Sequence, residues 1–340
     1  MDGRRASVRQ HAGSRPVAVA AVVLCALGVA VAYAGSLGNE FALDDAHTIE
    51  DNAWIRSLRH VPRYFTDAST FSTLRTNVDY RPLLQTTYAL NHALAGYDVR
   101  WWRLTNLAIH LVVAVSVFFL GRRLLGSRAL APLPGLTRTG GDLAALAASL
   151  LFAVHPIGSA AVNYISARSS SLVAALVLPA LVLYLRALAE PRARLARWAA
   201  GVLFAAALLT KVEAVSLLVV LALAELLLDP RKRERGLGAR ALDVASWRRL
   251  APFAVVAALY LPLWLSQTAL DASATRAGAT MTPSTYLLTQ LRAWWYYLGL
   301  VVAPLDLVAD YPSYPLSRSL AEPRVQLALA GWLVVLAAAL

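Results

Sequence analysis

Long apolar stretches alternate with shorter polar segments along the 340-residue chain. The apolar runs predict membrane helices near residues 17–34, 104–120, 143–154, 170–186, 198–210, 214–228, 250–267, 285–304 and 325–340. Several runs are shorter than the roughly 20 residues that a crossing helix needs. One pair of neighbouring runs is therefore alternatively a single broken or re-entrant unit. The pattern predicts an all-α membrane protein folded as a polytopic helical bundle.

One large polar segment, residues 35–103, separates the first two apolar stretches. Within it, Pro82 and Gly96 frame a predicted helix over residues 82–95, since proline favours a helix start and glycine a helix end. Its apolar side would comprise Leu83, Leu84, Tyr88 and Leu94. We therefore expect the first loop to carry amphipathic helices that lie on the membrane surface.

Composition and charge fix an orientation. Hydrophobic residues make up 58% of the chain and charged residues 15%, which is fewer charges than the roughly 25% of soluble domains. The net charge is +12, but 19 of the basic residues fall in segments 1–16, 121–142, 186–197 and 229–249, which alternation places on one side. This positive-inside bias predicts a cytoplasmic N-terminus and argues against nucleic-acid binding.

The predicted organisation follows from this orientation. A basic cytoplasmic segment (1–16) precedes the first transmembrane helix (17–34), a periplasmic loop (35–103) and a multi-span bundle (104–340). The first apolar run, about 18 residues long, exceeds the roughly 7–15 of a signal peptide, which favours an uncleaved anchor. Abundant Ala, Leu, Val and Arg with little Lys is typical of a GC-rich bacterial genome, so we expect the bacterial cytoplasmic (inner) membrane.

Asp44 and Asp45 follow the first span closely and are the leading candidates for chemistry. Adjacent carboxylates at a membrane edge can accept a proton, hold a divalent cation or stabilise a developing cation. The alternative is structural, because aspartate is a good N-cap for a helix that starts near Ala46. No other acidic or histidine cluster has convincing metal-ligand spacing, so a divalent cation is a possibility at this pair alone and no cofactor is certain.

Further polar residues beside the spans fall on the same predicted side as the acidic pair, and buried polar groups in membranes are functional candidates. They are Tyr80, Arg81, Arg103, Asn106, His110, His155, Asn163, Arg168, Lys211 and Glu213. Arg103, Asn106 and His110 have the spacing i, i+3, i+7 of one helix face.

Several of these residues also admit structural interpretations. Arg81 followed by proline is typical of a helix start with a surface arginine. His110 is open to being a packed histidine bonded to Asn106. His155 with Pro156 is alternatively the end of a membrane span. Lys211 and Glu213 are alternatively an ion pair or a turn whose side chains snorkel to the membrane surface.

The order of the short motifs resembles a known family. They are Phe41-Ala42-Leu43-Asp44-Asp45, Tyr80-Arg81-Pro82-Leu83, Asn106 with His110, Leu151-Phe152-Ala153-Val154-His155-Pro156-Ile157, Val162-Asn163-Tyr164-Ile165-Ser166 with Arg168, Lys211, Leu288-Thr289-Gln290, Tyr296-Tyr297, Pro304 and Asp310-Tyr311. The chain resembles the GT-C glycosyltransferases, and among them the bacterial relatives of the transmembrane and tetratricopeptide-repeat O-mannosyltransferases. The tetratricopeptide array that often follows in that family is not present, which predicts a chain truncated at its C-terminus.

The resemblance implies a GT-C bundle whose first periplasmic loop carries the catalytic acid. It also implies a sugar donor linked to polyprenyl phosphate, mannose or a similar hexose, and an acceptor hydroxyl, often on a protein. As a hypothesis, an aspartate of the 44–45 pair is the general base. Arg81, Arg168 or Lys211 stabilises the departing phosphate, since basic groups pair with phosphate.

Two other functions stay open. Ala160 and Ser169 stand where the family often carries acids, which permits a catalytically silent membrane scaffold. A lipid or sugar transporter of similar architecture would use the same polar residues as a path, but it should show symmetry between its halves, and none is visible.

Overall fold

The structure is a computed structural model that describes residues 15–126, 136–190, 192–232, 234, 236–241, 243–278, 281–305, 307–308, 311 and 314–339. Residues 1–14 of the predicted cytoplasmic segment and Asp310 lie outside the described residues. Within the described residues every regular element is helical. This confirms the prediction of an all-α protein.

Each of the nine predicted apolar stretches forms a helix. The principal helices are α1 (Arg15–Tyr33), α2 (Pro82–Ala95), α3 (Val99–Leu125), α4 (Arg138–Val154), α5 (Ser159–Asn163), α6 (Arg168–Ala189), α7 (Arg194–Leu208), α8 (Leu217–Leu227), α9 (Val244–Gly278), α10 (Pro283–Val302) and α11 (Pro323–Ala339). Short helical turns lie at Ala46–Glu50, Ala53–Arg56, Leu58–His60, Val61–Tyr64, Ala68–Phe71, Pro156–Gly158, Ile165–Ala167, Val212–Ser216, Pro230–Lys232 and Leu237–Ala241.

In the described part of the chain, four helical segments are long and apolar enough to cross a membrane by themselves. They are Pro16–Ser36, Val99–Leu125, Ile165–Ala189 and Val244–Thr268. A fifth is present if α4 and the segment Pro156–Asn163, which are bent by 49° at their junction, form one broken span. The chain is therefore an integral membrane protein, and the bent pair matches the broken unit that the short stretches predict.

Three side chains of α3 explain how the broken unit is tolerated. Helix ends leave carbonyl groups without intrahelical partners, and inside a membrane those groups need other donors. Arg103 Nη1 donates to the Asn163 carbonyl at 2.5 Å and Asn106 Nδ2 to the Val162 carbonyl at 3.1 Å. His110 Nε2 lies 3.0 Å from the Ala153 carbonyl. The predicted common face exists, but His110 bonds to this carbonyl and not to Asn106.

The bounds predicted for α2 are confirmed. The helix begins at Pro82 and ends at Ala95, and Gly96 follows with φ +55°, a conformation that glycine adopts readily. Of its predicted apolar side, Leu84 and Tyr88 are buried within the protein, whereas Leu94 is 83% exposed. The buried face comprises Pro82, Leu84, Gln85, Tyr88, Ala89 and Asn91. Contact of the exposed face with the membrane surface stays a prediction.

A compact group of charged residues joins α8 to the start of α9, and we call it the α8–α9 charge cluster. Its members are Glu225, Asp229, Lys232, Asp243 and Arg249. Arg249 Nη2 lies 2.5 Å from Glu225 Oε2 and 3.0 Å from Asp229 Oδ2, and Lys232 Nζ lies 2.9 Å from Asp243 Oδ2. With Arg231, whose Nε lies 2.8 Å from Asp229 Oδ1, three basic side chains pair with three acidic ones where these helices meet.

Residues 272–340 form a second compact unit. Its helices α10 and α11 pack through Trp295 and Trp332, whose rings lie 4.7 Å apart, and each indole N–H donates to a carbonyl of the facing helix. Gly331 permits this approach, because a Cβ there would lie 2.6 Å from the Trp295 ring. Arg292 of α10 fixes the segment before α11 by donating to Ser317 Oγ at 2.6 Å.

Candidate functional site

Asp45 is buried, with 1% of its surface exposed. Its Oδ1 accepts hydrogen bonds from the Ser166 N–H at 2.8 Å and the Ser166 hydroxyl at 2.6 Å, and its Oδ2 accepts from the Ala42 N–H at 3.1 Å. It precedes the turn Ala46–Glu50 without capping it, so the capping interpretation is wrong for Asp45. This carboxylate instead fastens the loop between α1 and α2 to the segment that leads into α6.

Asp44 differs from its neighbour, since 57% of its side chain is exposed. Its N–H donates to the Tyr164 hydroxyl at 3.1 Å, which holds the backbone in place while leaving the carboxylate accessible. Leu43 just before it has φ +52°, in the left-handed region that branched side chains rarely adopt. Such strained residues persist where the surrounding contacts fix them, and they are frequent at functional sites.

His47 is a third member of this group that the sequence did not single out. Its Nε2 lies 3.4 Å from Asp44 Oδ1, and its Nδ1 lies 2.9 Å from the Ser72 hydroxyl. The side chain is 13% exposed. The signal in the sequence was the spacing i, i+3 from Asp44, which brings two side chains together when the backbone is helical.

Arg168 is completely buried at the N-terminus of α6. Its guanidinium donates to Asn106 Oδ1 and Asn91 Oδ1, both at 2.7 Å, to the Thr87 hydroxyl at 3.2 Å and to the Trp102 carbonyl at 3.1 Å. These contacts join α2, α3 and α6. The geometry therefore has Arg168 holding three helices together, with its donors engaged by protein acceptors.

Arg81 and Lys211 flank the contact of α2 with the end of α7, where the Leu83 N–H donates to the Leu209 carbonyl at 3.0 Å. Arg81 pairs with Asp79 at 2.5 Å, and its buried Nε–H has no hydrogen-bond partner among the described residues. Lys211 Nζ lies 3.1 Å from Glu213 and 3.3 Å from the Ser170 hydroxyl. The ion-pair interpretation of Lys211 and Glu213 is confirmed in this geometry.

Of the remaining predicted site residues, Tyr80 and His155 make hydrogen bonds within the protein. Tyr80 is buried and donates to the Phe65 carbonyl at 3.0 Å. His155 follows the last residue of α4, and its Nδ1 accepts from the Ile157 N–H at 3.2 Å, in agreement with the span-terminator interpretation. The buried Oδ1 of Asn163 has no hydrogen-bond partner among the described residues.

Two tyrosines near the acidic pair stay protonated at neutral pH. Burial raises the pKa of Tyr88 to about 12, although the Arg168 guanidinium 5.1 Å from the ring opposes this shift. Burial, followed by a hydrogen bond with the Asp44 side chain, raises the pKa of Tyr164 above its ordinary value. Both phenols can therefore act as hydrogen-bond donors beside Asp44 and Asp45.

The two aspartates do not form a shared cation site. Both oxygens of Asp45 accept hydrogen bonds from protein groups, while Asp44 faces solvent. Among the described residues, no group of three or more His, Cys, Asp or Glu side chains is arranged to hold a metal ion. A divalent cation bound by both carboxylates does not fit this geometry.

A cavity of about 940 Å³ lies elsewhere, between the ends of α3, α4 and α6 that carry Arg122, Asp142 and Glu190. None of the predicted site residues lines it. Arg122 is nearly 20 residues along α3 from Arg103, which places the cavity about 28 Å from the Asp45 end of that helix. The exposed surface around Asp44 is thus a separate feature.

Comparison with known proteins gives a consistent set of relatives. The chain is 28% identical over 304 residues to protein O-mannosyl-transferase Tmtc2 of Drosophila melanogaster, and this match covers 85% of this chain and 30% of that protein. It is 31% identical over 192 residues to protein O-mannosyl-transferase TMTC1 of Homo sapiens, covering 54% of this chain and 20% of that protein. It is 26% identical over 168 residues to protein O-mannosyl-transferase F38B6.6 of Caenorhabditis elegans, and this match covers 48% of this chain and 23% of that protein.

The chain thus spans less than a third of the length of these curated relatives. No family model matches the sequence. No solved structure matches it either. The relatives support the resemblance to O-mannosyltransferases that the motifs indicate.

Proposed function

We propose that this chain is a membrane glycosyltransferase of GT-C type that transfers mannose, or a similar hexose, from a polyprenyl-phosphate donor to a hydroxyl group on a protein. The observation that carries the proposal is the exposed Asp44 carboxylate, held by a strained and well-anchored backbone, in a chain whose relatives are named protein O-mannosyl-transferases. The proposed location is the outer, periplasmic face of a bacterial inner membrane, with the N-terminus in the cytoplasm.

In the proposed reaction, the acceptor hydroxyl oxygen attacks the anomeric carbon of the donor sugar. The bond between that carbon and the phosphate oxygen breaks, and polyprenyl phosphate leaves with the electron pair. Asp44 takes the proton from the acceptor hydroxyl, a form of general-base catalysis that contributes about 10²- to 10⁴-fold. Of the two aspartates, Asp44 is assigned this role because Asp45 is buried and already engaged by Ser166 and Ala42.

The phosphate contact is assigned to Arg81 and Lys211. The buried Nε–H of Arg81 has no hydrogen-bond partner in the described part of the chain, and 22% of the Lys211 side chain is exposed. A cation beside the breaking bond stabilises the charge that develops on the leaving phosphate. Arg168 supports the site indirectly, since its guanidinium fixes α2 and α3 to the start of α6.

The remaining polar residues shape the site. Arg103 donates to the carbonyls of Asn39 and Glu40, and so fixes the start of the loop that carries Asp44. Asn106 and His110 hold the broken segment in place. No step of the proposed reaction passes through a metal ion.

The test is transfer of radiolabelled mannose from polyprenyl-phosphate mannose to protein by the purified full chain in sealed proteoliposomes. We expect the wild type to transfer the sugar, and the transfer rate of Asp44→Asn to be at least about 100-fold lower than that of the wild type. Asp51→Asn is the matched control, because Asp51 is an exposed acid of the same loop. Full activity of Asp44→Asn, or uptake of donor without transfer by wild type, would contradict the proposal, and the second result would favour a transporter.

A further inference from the structure

Asp44, His47 and Ser72 form a chain of three polar side chains, and burial increases along it from Asp44 to Ser72. The Asp44 side chain is 57% exposed, that of His47 is 13% exposed, and Ser72 is buried. In a hydrolase with the same three residue types the serine is the accessible nucleophile and the carboxylate is buried behind the histidine. Here the order is reversed, so the accessible reacting group is the carboxylate and the serine lies at the back.

The hydrogen bonds behind His47 determine which ring nitrogen carries the proton. The Leu74 N–H donates to the Ser72 oxygen at 3.0 Å. Among the described residues, the acceptor within reach of the Ser72 hydroxyl proton is His47 Nδ1, at 2.9 Å. If Nδ1 accepts, the single proton of the neutral imidazole sits on Nε2, which faces Asp44 Oδ1 at 3.4 Å.

The His47 backbone is fixed independently of its ring. Its carbonyl accepts from the Thr73 N–H at 3.1 Å and from the Thr73 hydroxyl at 3.4 Å. The segment that carries Ser72 is therefore attached to the turn that carries His47 at two neighbouring points. This attachment limits the movement of the imidazole relative to Asp44.

We propose that His47 is a positioning residue for Asp44, held by Ser72 in the neutral form that carries its proton on Nε2. The Nε2–H engages Oδ1 of Asp44, and Oδ2 accepts the proton of the acceptor hydroxyl, beside the Tyr164 hydroxyl that also bonds to this carboxylate. The inference rests on the proposed function, since it assigns His47 a task in the same transfer reaction. The 3.4 Å separation fits a site without substrate, because catalytic hydrogen bonds often shorten only when the substrate is bound.

A kinetic test separates positioning from general stability. We expect His47→Ala to lower kcat by about 10- to 100-fold, the effect of losing a hydrogen bond to a charged group, with little change in KM for the donor. His47→Gln should recover much of the rate, because its amide N–H can reach the same oxygen. His60→Ala is the control, since His60 is a histidine of the same loop whose Nδ1 lies 2.8 Å from the Trp54 carbonyl.

A second measurement tests the proton position without any activity. Nitrogen-15 spectra of histidine-labelled full chain at neutral pH should show His47 protonated at Nε2 and not at Nδ1, and Ser72→Ala should abolish that preference. A wild type that carries the proton on Nδ1 would overturn the inference even if the enzyme is active. A wild type that transfers no sugar would refute the proposed function alone, while the spectra still decide the geometry. Full activity of His47→Ala in an active enzyme would refute the positioning role alone.

Discussion

Asp44 and Asp45 are neighbours in the chain, yet one carboxylate is 57% exposed and the other is buried. The split follows from Ser166, which occupies Asp45 Oδ1 with two hydrogen bonds and has no such contact with Asp44. One aspartate therefore holds the loop in place, and the other is presented at its surface. This division of roles leads directly to a test by paired substitution.

Asp45→Asn should destabilise the protein, and Asp44→Asn should not. Replacing Asp45 weakens charge-assisted hydrogen bonds in a buried place, so we expect the free energy of unfolding to fall by about 1–3 kcal/mol. Replacing Asp44 removes only its exposed contact with His47, which is worth less than about 1 kcal/mol. Thermal unfolding in detergent measures both. Equal destabilisation by the two substitutions would show that the carboxylates share one structural role.

Arg81→Gln and Lys211→Gln should each weaken the use of the lipid-phosphate donor. We expect KM for the donor to rise about 10- to 100-fold, because a hydrogen bond from a cation to phosphate is worth roughly 1.5–3 kcal/mol. Inhibition by free polyprenyl phosphate should weaken in parallel. The control is Arg59→Gln, which changes an exposed arginine of the same loop. Unchanged donor KM in both variants would remove these residues from the phosphate site.

Arg168→Lys should be strongly destabilising although it keeps the charge. A lysine cannot reproduce the planar set of donors, so acceptors such as Asn106 Oδ1 and Asn91 Oδ1 would lose their partners in a buried place. We expect a loss of about 3 kcal/mol in the free energy of unfolding. Arg186→Lys is the control, because Arg186 is half exposed and should change stability by less than about 1 kcal/mol. Similar stability of the two variants would contradict the conclusion that Arg168 holds α2, α3 and α6 together.

Leu43→Gly should leave stability unchanged or raise it by about 1 kcal/mol. Leu43 has φ +52° and an exposed side chain, so glycine relieves backbone strain without losing buried contacts. Leu58→Gly, at an exposed position in a short helical turn with ordinary φ, should be destabilising. Unfolding midpoints of the two variants measure the contrast. A large loss for Leu43→Gly would mean that its side chain is bound by something else, such as lipid.

The α8–α9 charge cluster should give the protein a defined loss of stability in acid. Burial opposes ionisation of Asp229, but hydrogen bonds and charge from Arg231, with further charge from Arg249, outweigh it and lower the pKa of Asp229. A lowered pKa in the folded state means that the stabilisation is present above the ordinary value of about 3.8 and is lost as pH falls through the folded pKa. The stability difference between wild type and Asp229→Asn should be constant from about pH 5 to pH 8 and shrink below about pH 4. A difference that instead grew in acid would contradict the sign of this shift.

Much of the fold was predictable because it depends on neighbours in sequence. Apolar runs of the right length predict the helices wherever they occur. Pro82 and Gly96 bound α2 through their own backbone preferences, and the spacing of Arg103, Asn106 and His110 puts them on one face of α3. These features follow from the period of the helix and the conformational limits of single residues.

The site required the tertiary structure because its decisive contacts join distant parts of the chain. Asp45 meets Ser166 across 121 positions, and Arg168 meets Asn106 across 62. From sequence alone the aspartates were equivalent, Arg168 was a phosphate candidate, and His47 was overlooked. What the sequence by itself determined was the set of helices and the residue types able to do chemistry. Only the packing of the first loop against α3 and α6 decided which of those groups are buried as anchors and which remain exposed, because burial and hydrogen bonding are properties of the assembled fold.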